Sequence, residues 1–358
     1  MYILARRTKD NARALARTES DACGSRSAQV KGRRAMPTVF VGSAAAGTPY
    51  LVGDQSRGKG IVGVLTLGDD GALSNDQPPE PGFTAVGSNP TAIITYPGGL
   101  IVSDETYGDD ANSSVWSATL DGEAGGCTIT AGGQVDSGGR ACCHLALHPS
   151  GTLLAAANYL GEAPANDPAN RGTLSIFRVG EQGLGERTTH VAHSESYPGH
   201  NAARQEAAHI HSTAWAPMDA DGKTALLVCD LGSDKIWQYV VDDASGVATP
   251  NPTAAAVEAC TPGAGPRHIC MSMSGKFGYV ICEMGSVVQG HSYDSATGTL
   301  STQPICTIPT TPPDEEVRDQ RNASVSFLEK ERPIHPVAGR QNQYESCSSI
   351  IHRVVLFA

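Results

Sequence analysis

Arginine, glutamate and histidine, the side chains that grip anions and move protons near neutral pH, crowd into two short stretches. One is R-Q-E-A-A-H-I-H-S, which carries Arg204, Glu206, His209 and His211; the other is P-G-A-G-P-R-H, which carries Arg267 and His268. A further histidine, His144, follows the cysteine pair Cys142 and Cys143. A guanidinium presents a planar fork of donors that fits phosphate or carboxylate two bonds at a time, and a histidine or glutamate can take a proton from water. Together they suit hydrolysis of a substrate that carries a negative charge. Each also has a structural reading. His144, His209 and His211 can link repeated units by hydrogen bonds, and Arg267 can form an ion pair with Glu283 or Glu105. Asp230, Asp234 and Asn158 read as turn and inter-strand residues.

Residues this far apart in sequence form one site only if the fold gathers them, and a repeat supplies the means. The unit is a strand ending near proline, a glycine turn, a second strand ending in an acidic or amide residue, and then a third strand. Its copies begin at NPTAIITYPGGLIVSDE, CCHLALHPSGTLLAAANY, HIHSTAWAPMDADGKTALLVCD and PRHICMSMSGKFGYVICE. Pro97, Pro149, Pro217 and Ser274 are spaced by 52, 68 and 57 residues, the longest step holding the loop SESYPGHNAARQEAA. An earlier half-copy, TVFVGSA with KGIVGVLTLGDDGAL, makes five units. Apolar runs of four to eight residues exclude helical repeats, and the period fits blades of a β-propeller. In such a ring the first strand of each blade lines a central channel, so polar residues at those strand ends converge.

Composition agrees with an all-β fold: the 358 residues include 40 glycines and 22 prolines, and only 5% are aromatic. Residues 1–35 hold nine Lys/Arg against three acidic residues, which leaves −17 on the rest of a chain whose total is −11. So acidic a body excludes nucleic acid as a partner and requires a local cationic pocket for any anionic ligand. The basic segment 1–35 reads as an extension, either a mitochondrial or plastid transit peptide or the product of an upstream start codon with Met36 as the true beginning. Without a transit peptide, a cytoplasmic location is expected. The ten cysteines show no C-x-x-C pair and read as reduced, buried thiols, and no apolar run reaches the ~20 residues that would span a bilayer. The propeller is expected over 36–312. Residues 313–358 break the repeat and read as a divergent, disordered tail, although the terminal IIHRVVLFA could pair as a closing strand.

Three motifs carry a family likeness: CHLALHPSGTLLAAANY at 143–159, RQEAAHIHS with CDLGSDKI, and PGAGPRH with YVICE. Through them the chain resembles the seven-bladed β-propeller lactonases, a family that opens 6-phosphogluconolactone and has fungal relatives that close carboxymuconate into a lactone. The resemblance implies a propeller of that type with about five blades recognisable. It also implies a catalytic set of His144, Arg204, Glu206 and Arg267. His209, His211, His268, Glu105, Glu283 and Asn158 are added as candidates for substrate contact. The chain departs from the family where Ala207 and Ala208 precede the first histidine in place of a usual proline, and where Cys282 replaces an asparagine.

Opening a δ-lactone needs a directed water, a base for its proton and a positive group for the developing oxyanion. Glu206, His144 or His209 could be the base, and Arg204 and Arg267 could bind the anionic group. An activated ester needs no cofactor or metal. The expected partner is a small anionic sugar lactone, bound by a monomer without membrane or nucleic acid. A muconate-cyclising isomerase and a non-catalytic interaction propeller are the alternatives. No G-x-x-x-x-G-K-[ST], G-x-S-x-G or H-E-x-x-H motif is present, which removes nucleotide triphosphatase, serine-hydrolase and zincin chemistry.

Overall fold

Successive side chains of a strand point to opposite faces, so a strand apolar at every position must be covered on both sides. The computed structural model describes residues 2–6, 38–43, 60–67, 73–74, 83–121, 128–164, 171–193, 199–258, 261–310, 324–327 and 354–357, and in it strands such as Gly99–Asp104 are buried at every position. The described residues form 25 strands and no helix, and hence no helix long and apolar enough to cross a membrane.

Five antiparallel sheets follow one another along the chain. The first holds β1 (Tyr2–Arg6), β2 (Thr38–Ser43), β3 (Ile61–Leu67) and β4 (Leu73–Ser74), with β5 (Phe83–Ala85) also on β3. The second is β6 (Pro90–Tyr96), β7 (Gly99–Asp104), β8 (Ser114–Asp121) and β9 (Thr128–Asp136). The third is β10 (Arg140–Leu147), β11 (Leu153–Leu160), β12 (Thr173–Gly180) and β13 (Gly183–Ala192). The fourth joins β14 (Ile210–Pro217), β15 (Lys223–Asp230), β16 (Lys235–Asp242) and β17 (Ala248–Pro250), with β18 (Ala256–Glu258) on β16. The fifth joins β19 (Pro266–Met271), β20 (Phe277–Cys282), β21 (Val287–Asp294) and β22 (Thr299–Leu300), with β23 (Cys306–Pro309) on β21.

Each sheet after the first begins where a repeat unit begins, and each is a simple meander. The first strands β6, β10, β14 and β19 lie against one another in that order, as the inner strands of radially stacked blades do. Apolar layers fill the gaps between blades. Leu153, Ala155 and Ala157 meet Leu226 and Val228 of the following blade, and the alternate residues Leu154 and Ala156 meet Tyr96 and Ile101 of the preceding one. This period-two alternation explains why β11 reads as a continuous apolar run.

Two segments outside the recognised units also form strands. Tyr2–Arg6, within the expected N-terminal extension, pairs with β2 from Tyr2↔Gly42 to Arg6↔Thr38. Within the expected tail, β24 (Ser324–Phe327) pairs with β25 (Val354–Phe357), so part of IIHRVVLFA is a strand, and β24 lies against β19 and β20. The remainder of both segments lies outside the described residues. Among the described cysteines, Cys142, Cys143, Cys229 and Cys282 are buried free thiols.

Leu154, fully buried between the second and third blades, tests this packing. Leu154→Ala is expected to destabilise the fold by about 2–5 kcal/mol in urea unfolding; an unchanged midpoint would mean that the blades do not interlock there.

Candidate active site

One backbone irregularity recurs at the entrance of the inner strands. In β10 the pairing runs Cys142↔Asn158 and then His144↔Ala157, which leaves Cys143 as an extra residue. In β14 the extra residue is His211, between Ile210↔Asp230 and Ser212↔Cys229. In β19 it is Arg267, between Pro266↔Cys282 and His268↔Ile281. The inner strand β6 is also bulged, between Pro90 and Ile93. A bulge re-aims side chains that strict alternation would send to opposite faces. Here it brings consecutive residues, such as Arg267 and His268, into one cluster.

That cluster spans three blades. The rings of His144 and His211 each stand 5.3 Å from that of His268, edge-on. Arg267 Nη1 lies 3.4 Å from His268 Nε2, and the same guanidinium gives Nε to Glu283 Oε2 at 3.0 Å. The other oxygen, Glu283 Oε1, accepts from Arg204 Nη2 at 2.9 Å. One carboxylate, 3% exposed, thus holds two guanidiniums from different loops. Glu105 is near enough to Arg267 to feel its charge and accepts a hydrogen bond from the Tyr107 hydroxyl.

A second pair adjoins the first. His209, buried in the Tyr159 stack with ring centroids 4.2 Å apart, has Nδ1 3.0 Å from the Tyr159 carbonyl oxygen and Nε2 2.9 Å from Glu206 Oε1. Both ring nitrogens therefore face oxygen atoms that can accept a hydrogen bond. Glu206 itself is about half exposed, so the carboxylate is open to solvent while its partner is fixed. The Tyr159 ring also meets His211 edge-on at 5.7 Å and stands beside Arg204, which joins the two pairs into one site.

Burial and the Arg267 charge push His144 from 6.5 down to about 4, and drive His211 and His268 well below 6.5. All three rings are neutral at pH 7. The Thr213 N–H donates to His144 Nδ1 at 3.4 Å, which places the His144 proton on Nε2 as a donor. Burial raises the Glu105 carboxyl, against the pull of Tyr107 and Arg267. The His209 hydrogen bond holds Glu206 below its ordinary value, as an ionised base. Burial alone would weaken the Arg204 charge, but Glu283 outweighs it and fixes the cation.

His144, Arg204, Glu206, Arg267, His209, His211, His268, Glu105 and Glu283 are thus linked in one cluster. Asn158 is not. Its Nδ2 donates to the Ser137 carbonyl and to Thr173 Oγ1, each at 3.0 Å, which makes it a fully buried tie between loops and corrects its reading as a substrate contact. Two participants escaped the sequence reading. Tyr159 was only the last residue of a quoted motif, and Cys143, whose thiol donates to the His211 carbonyl at 3.3 Å and is kept protonated by burial, is identifiable only once the bulge is seen.

The family model described as "Lactonase, 7-bladed beta-propeller" matches residues 41–332. A 6-phosphogluconolactonase of Bacillus subtilis is 26% identical over 286 residues, 77% of this chain and 73% of its own length. A protein of the same name from Formosa agariphila is 31% identical over 159 residues, 44% of this chain and 40% of that one. The crystal structure of a putative 6-phosphogluconolactonase from Bacteroides fragilis superposes with a TM-score of 0.61 at 23% identity, covering 82% of this chain and 72% of the other. A periplasmic gluconolactonase of Pseudomonas aeruginosa superposes at 0.59 and 24%, covering 77% and 69%.

The neutral histidines give stability a defined pH dependence. Their folded values lie below the 6.5 of an unfolded histidine, so the unfolded chain binds more protons as pH falls. Stability is then full above about pH 6.5 and declines toward pH 4. The urea midpoint is expected to drop between pH 7 and 5, and to do so less when His144, His211 and His268 are all replaced by Gln. Parallel slopes for the two proteins would show that the cluster is not buried in its neutral form.

Proposed function

The chain belongs to the lactonase family of seven-bladed β-propellers, and on that premise we propose that it hydrolyses a sugar δ-lactone, with 6-phospho-D-glucono-1,5-lactone as its substrate and 6-phosphogluconate as the product. The carrying observation is the pair of guanidiniums held by the single carboxylate of Glu283 beside three neutral histidines. Glu283 and its two arginines together carry one net positive charge, set beside the ionised Glu206 in an otherwise acidic protein. The arginine donors not used on Glu283 would take the phosphate or the lactone carbonyl oxygen.

In the reaction, water adds to the lactone carbonyl carbon and forms the new C–O bond. Glu206 takes the proton of that water. The tetrahedral intermediate carries its charge on the former carbonyl oxygen, where a guanidinium or a neutral imidazole N–H stabilises it. Collapse breaks the bond to the ring oxygen, which leaves as the sugar hydroxyl after receiving a proton from the site. His209 contributes by keeping Glu206 ionised and by fixing its orientation, and the neutral imidazoles act as donors without adding charge repulsion to Arg267.

Two substitutions separate binding from chemistry. Arg267→Ala is expected to raise KM for 6-phosphogluconolactone by about 10–100-fold, the worth of one charged hydrogen-bonding contact, with a smaller change for unphosphorylated gluconolactone. Glu206→Gln is expected to lower kcat by about 10²–10⁴-fold, the usual share of a general base. The assay follows acid release against the spontaneous rate. Failure of the folded protein to exceed that rate on either lactone would overturn the proposal, and loss of muconate absorbance would assign the site to lactone closure instead.

A further inference from the structure

The entry loop of an inner strand is tied down by the blade's own second strand, through the residue paired just ahead of the inner-strand bulge. Asp104 Oδ1 accepts from the N–H groups of Ser88 and Asn89, just ahead of β6. Asn158 ties to the Ser137 carbonyl ahead of β10, and Asp230 Oδ1 accepts from the His209 N–H ahead of β14. The strand register places Cys282 at this position in the fifth blade, opposite Pro266. The loop ahead of β19 leads straight into Arg267, the second residue of that strand.

That loop is capped from the preceding blade. Asp234, buried in the turn between β15 and β16, accepts from Gly263 N at 2.6 Å on Oδ2 and from Gly265 N at 2.8 Å on Oδ1. Oδ1 also accepts from Gln205 Nε2 at 2.8 Å, and Gln205 is the neighbour of Arg204. Gln205 is itself fixed to the Leu231 carbonyl and to the Asn201 N–H. On the other side, the Gly265 carbonyl accepts from the Glu283 N–H at 2.8 Å. Arg204, Arg267 and Glu283 therefore each lie within two residues of a group bonded to Asp234 or to Gly265. Asp234 keeps this place at φ +55°, a left-handed backbone that ordinarily favours glycine. Three hydrogen bonds to one buried carboxylate account for an aspartate in that conformation.

We propose that Asp234 is a positioning residue that holds the two arginine-bearing loops at a fixed separation and so sets the affinity of the site for its anionic substrate. Glu283 joins the guanidinium tips; Asp234 joins the backbones behind them. The affinity claim rests on the reading of Arg204 and Arg267 as the substrate's anion clamp, but the coupling of the loops does not, and the two are measured separately.

Asp234→Gly removes the carboxylate and suits the left-handed backbone, so the fold is retained; Asp234→Asn keeps the shape and one acceptor oxygen. Amide hydrogen exchange of 199–206 and 262–268 is expected to accelerate together by about tenfold in Asp234→Gly, less in Asp234→Asn, and not at all in β10–β12. In the lactone assay KM is expected to rise about tenfold or more with kcat nearly unchanged, the loss of one charged contact's worth of alignment. Asp234→Gly should add nothing further once Arg204 and Arg267 are both Ala. Acceleration in one loop alone, or in neither, overturns the coupling. If both loops loosen while KM stays constant, the coupling stands and the arginines are not the substrate clamp.

Discussion

A carboxylate as deeply buried as Glu283 is tolerable only while its charge is matched, and here it is matched by two arginines that arrive from different parts of the chain. Everything near it follows from that requirement. The guanidiniums must approach, so the segments that carry them must be held close; the neighbouring imidazoles, buried and beside Arg267, are driven neutral; and the neutral rings then supply hydrogen bonds in place of charge. Such a triad contributes little to net stability compared with a well-packed apolar replacement, but loss of one member leaves an unpaired charge in a buried place. The arrangement makes sense as an anion site that is partly occupied by its own protein.

The fold supports this site through an exception to its own rule. Interblade packing demands strict alternation, one face of each strand for each neighbouring blade, as Leu153 and Leu154 show. Under strict alternation, Arg267 and His268 would point to opposite faces. The bulge at the entrance of β10, β14 and β19 relaxes alternation for one residue only, and that is where Cys143, His211 and Arg267 fall. The blades thus remain interlocked along most of their length while their entrances are free to carry chemistry.

Much of this was legible in the sequence because period-two apolar runs and glycine turns are local signals. Five units were countable from NPTAIITYPGG and its copies, and the histidine and arginine motifs already pointed to the ends of inner strands. What was not legible depended on register. The bulges leave no mark in composition, so the company of Cys143 and the stacking of Tyr159 on His209 could not be read. Asn158 looked like a site residue because it sits inside a family motif, yet it falls one position before Tyr159, and a single step along an edge turns a side chain from the site to the frame. Tyr2–Arg6 escaped notice because a basic, alanine-rich opening resembles a leader, while strand pairing depends on partners far along the chain.

That single step also explains how a repeated blade can acquire a function. The second-strand residue paired just ahead of the bulge is Asp104, Asn158, Asp230 or Cys282, and the residue after it is Glu105, Tyr159, Leu231 or Glu283. In the second, third and fourth blades the first position ties down an entry loop, and in three of these four blades the second position belongs to the site. In the fifth blade the entry loop is capped from the preceding blade, by Asp234. A cap that stays within one blade stabilises that blade alone, whereas a cap reaching across the interface makes the loops of two blades move as one. The two arginines adjoin those two loops, so the contact through Asp234 ties the position of a charge on one blade to that of a charge on the next.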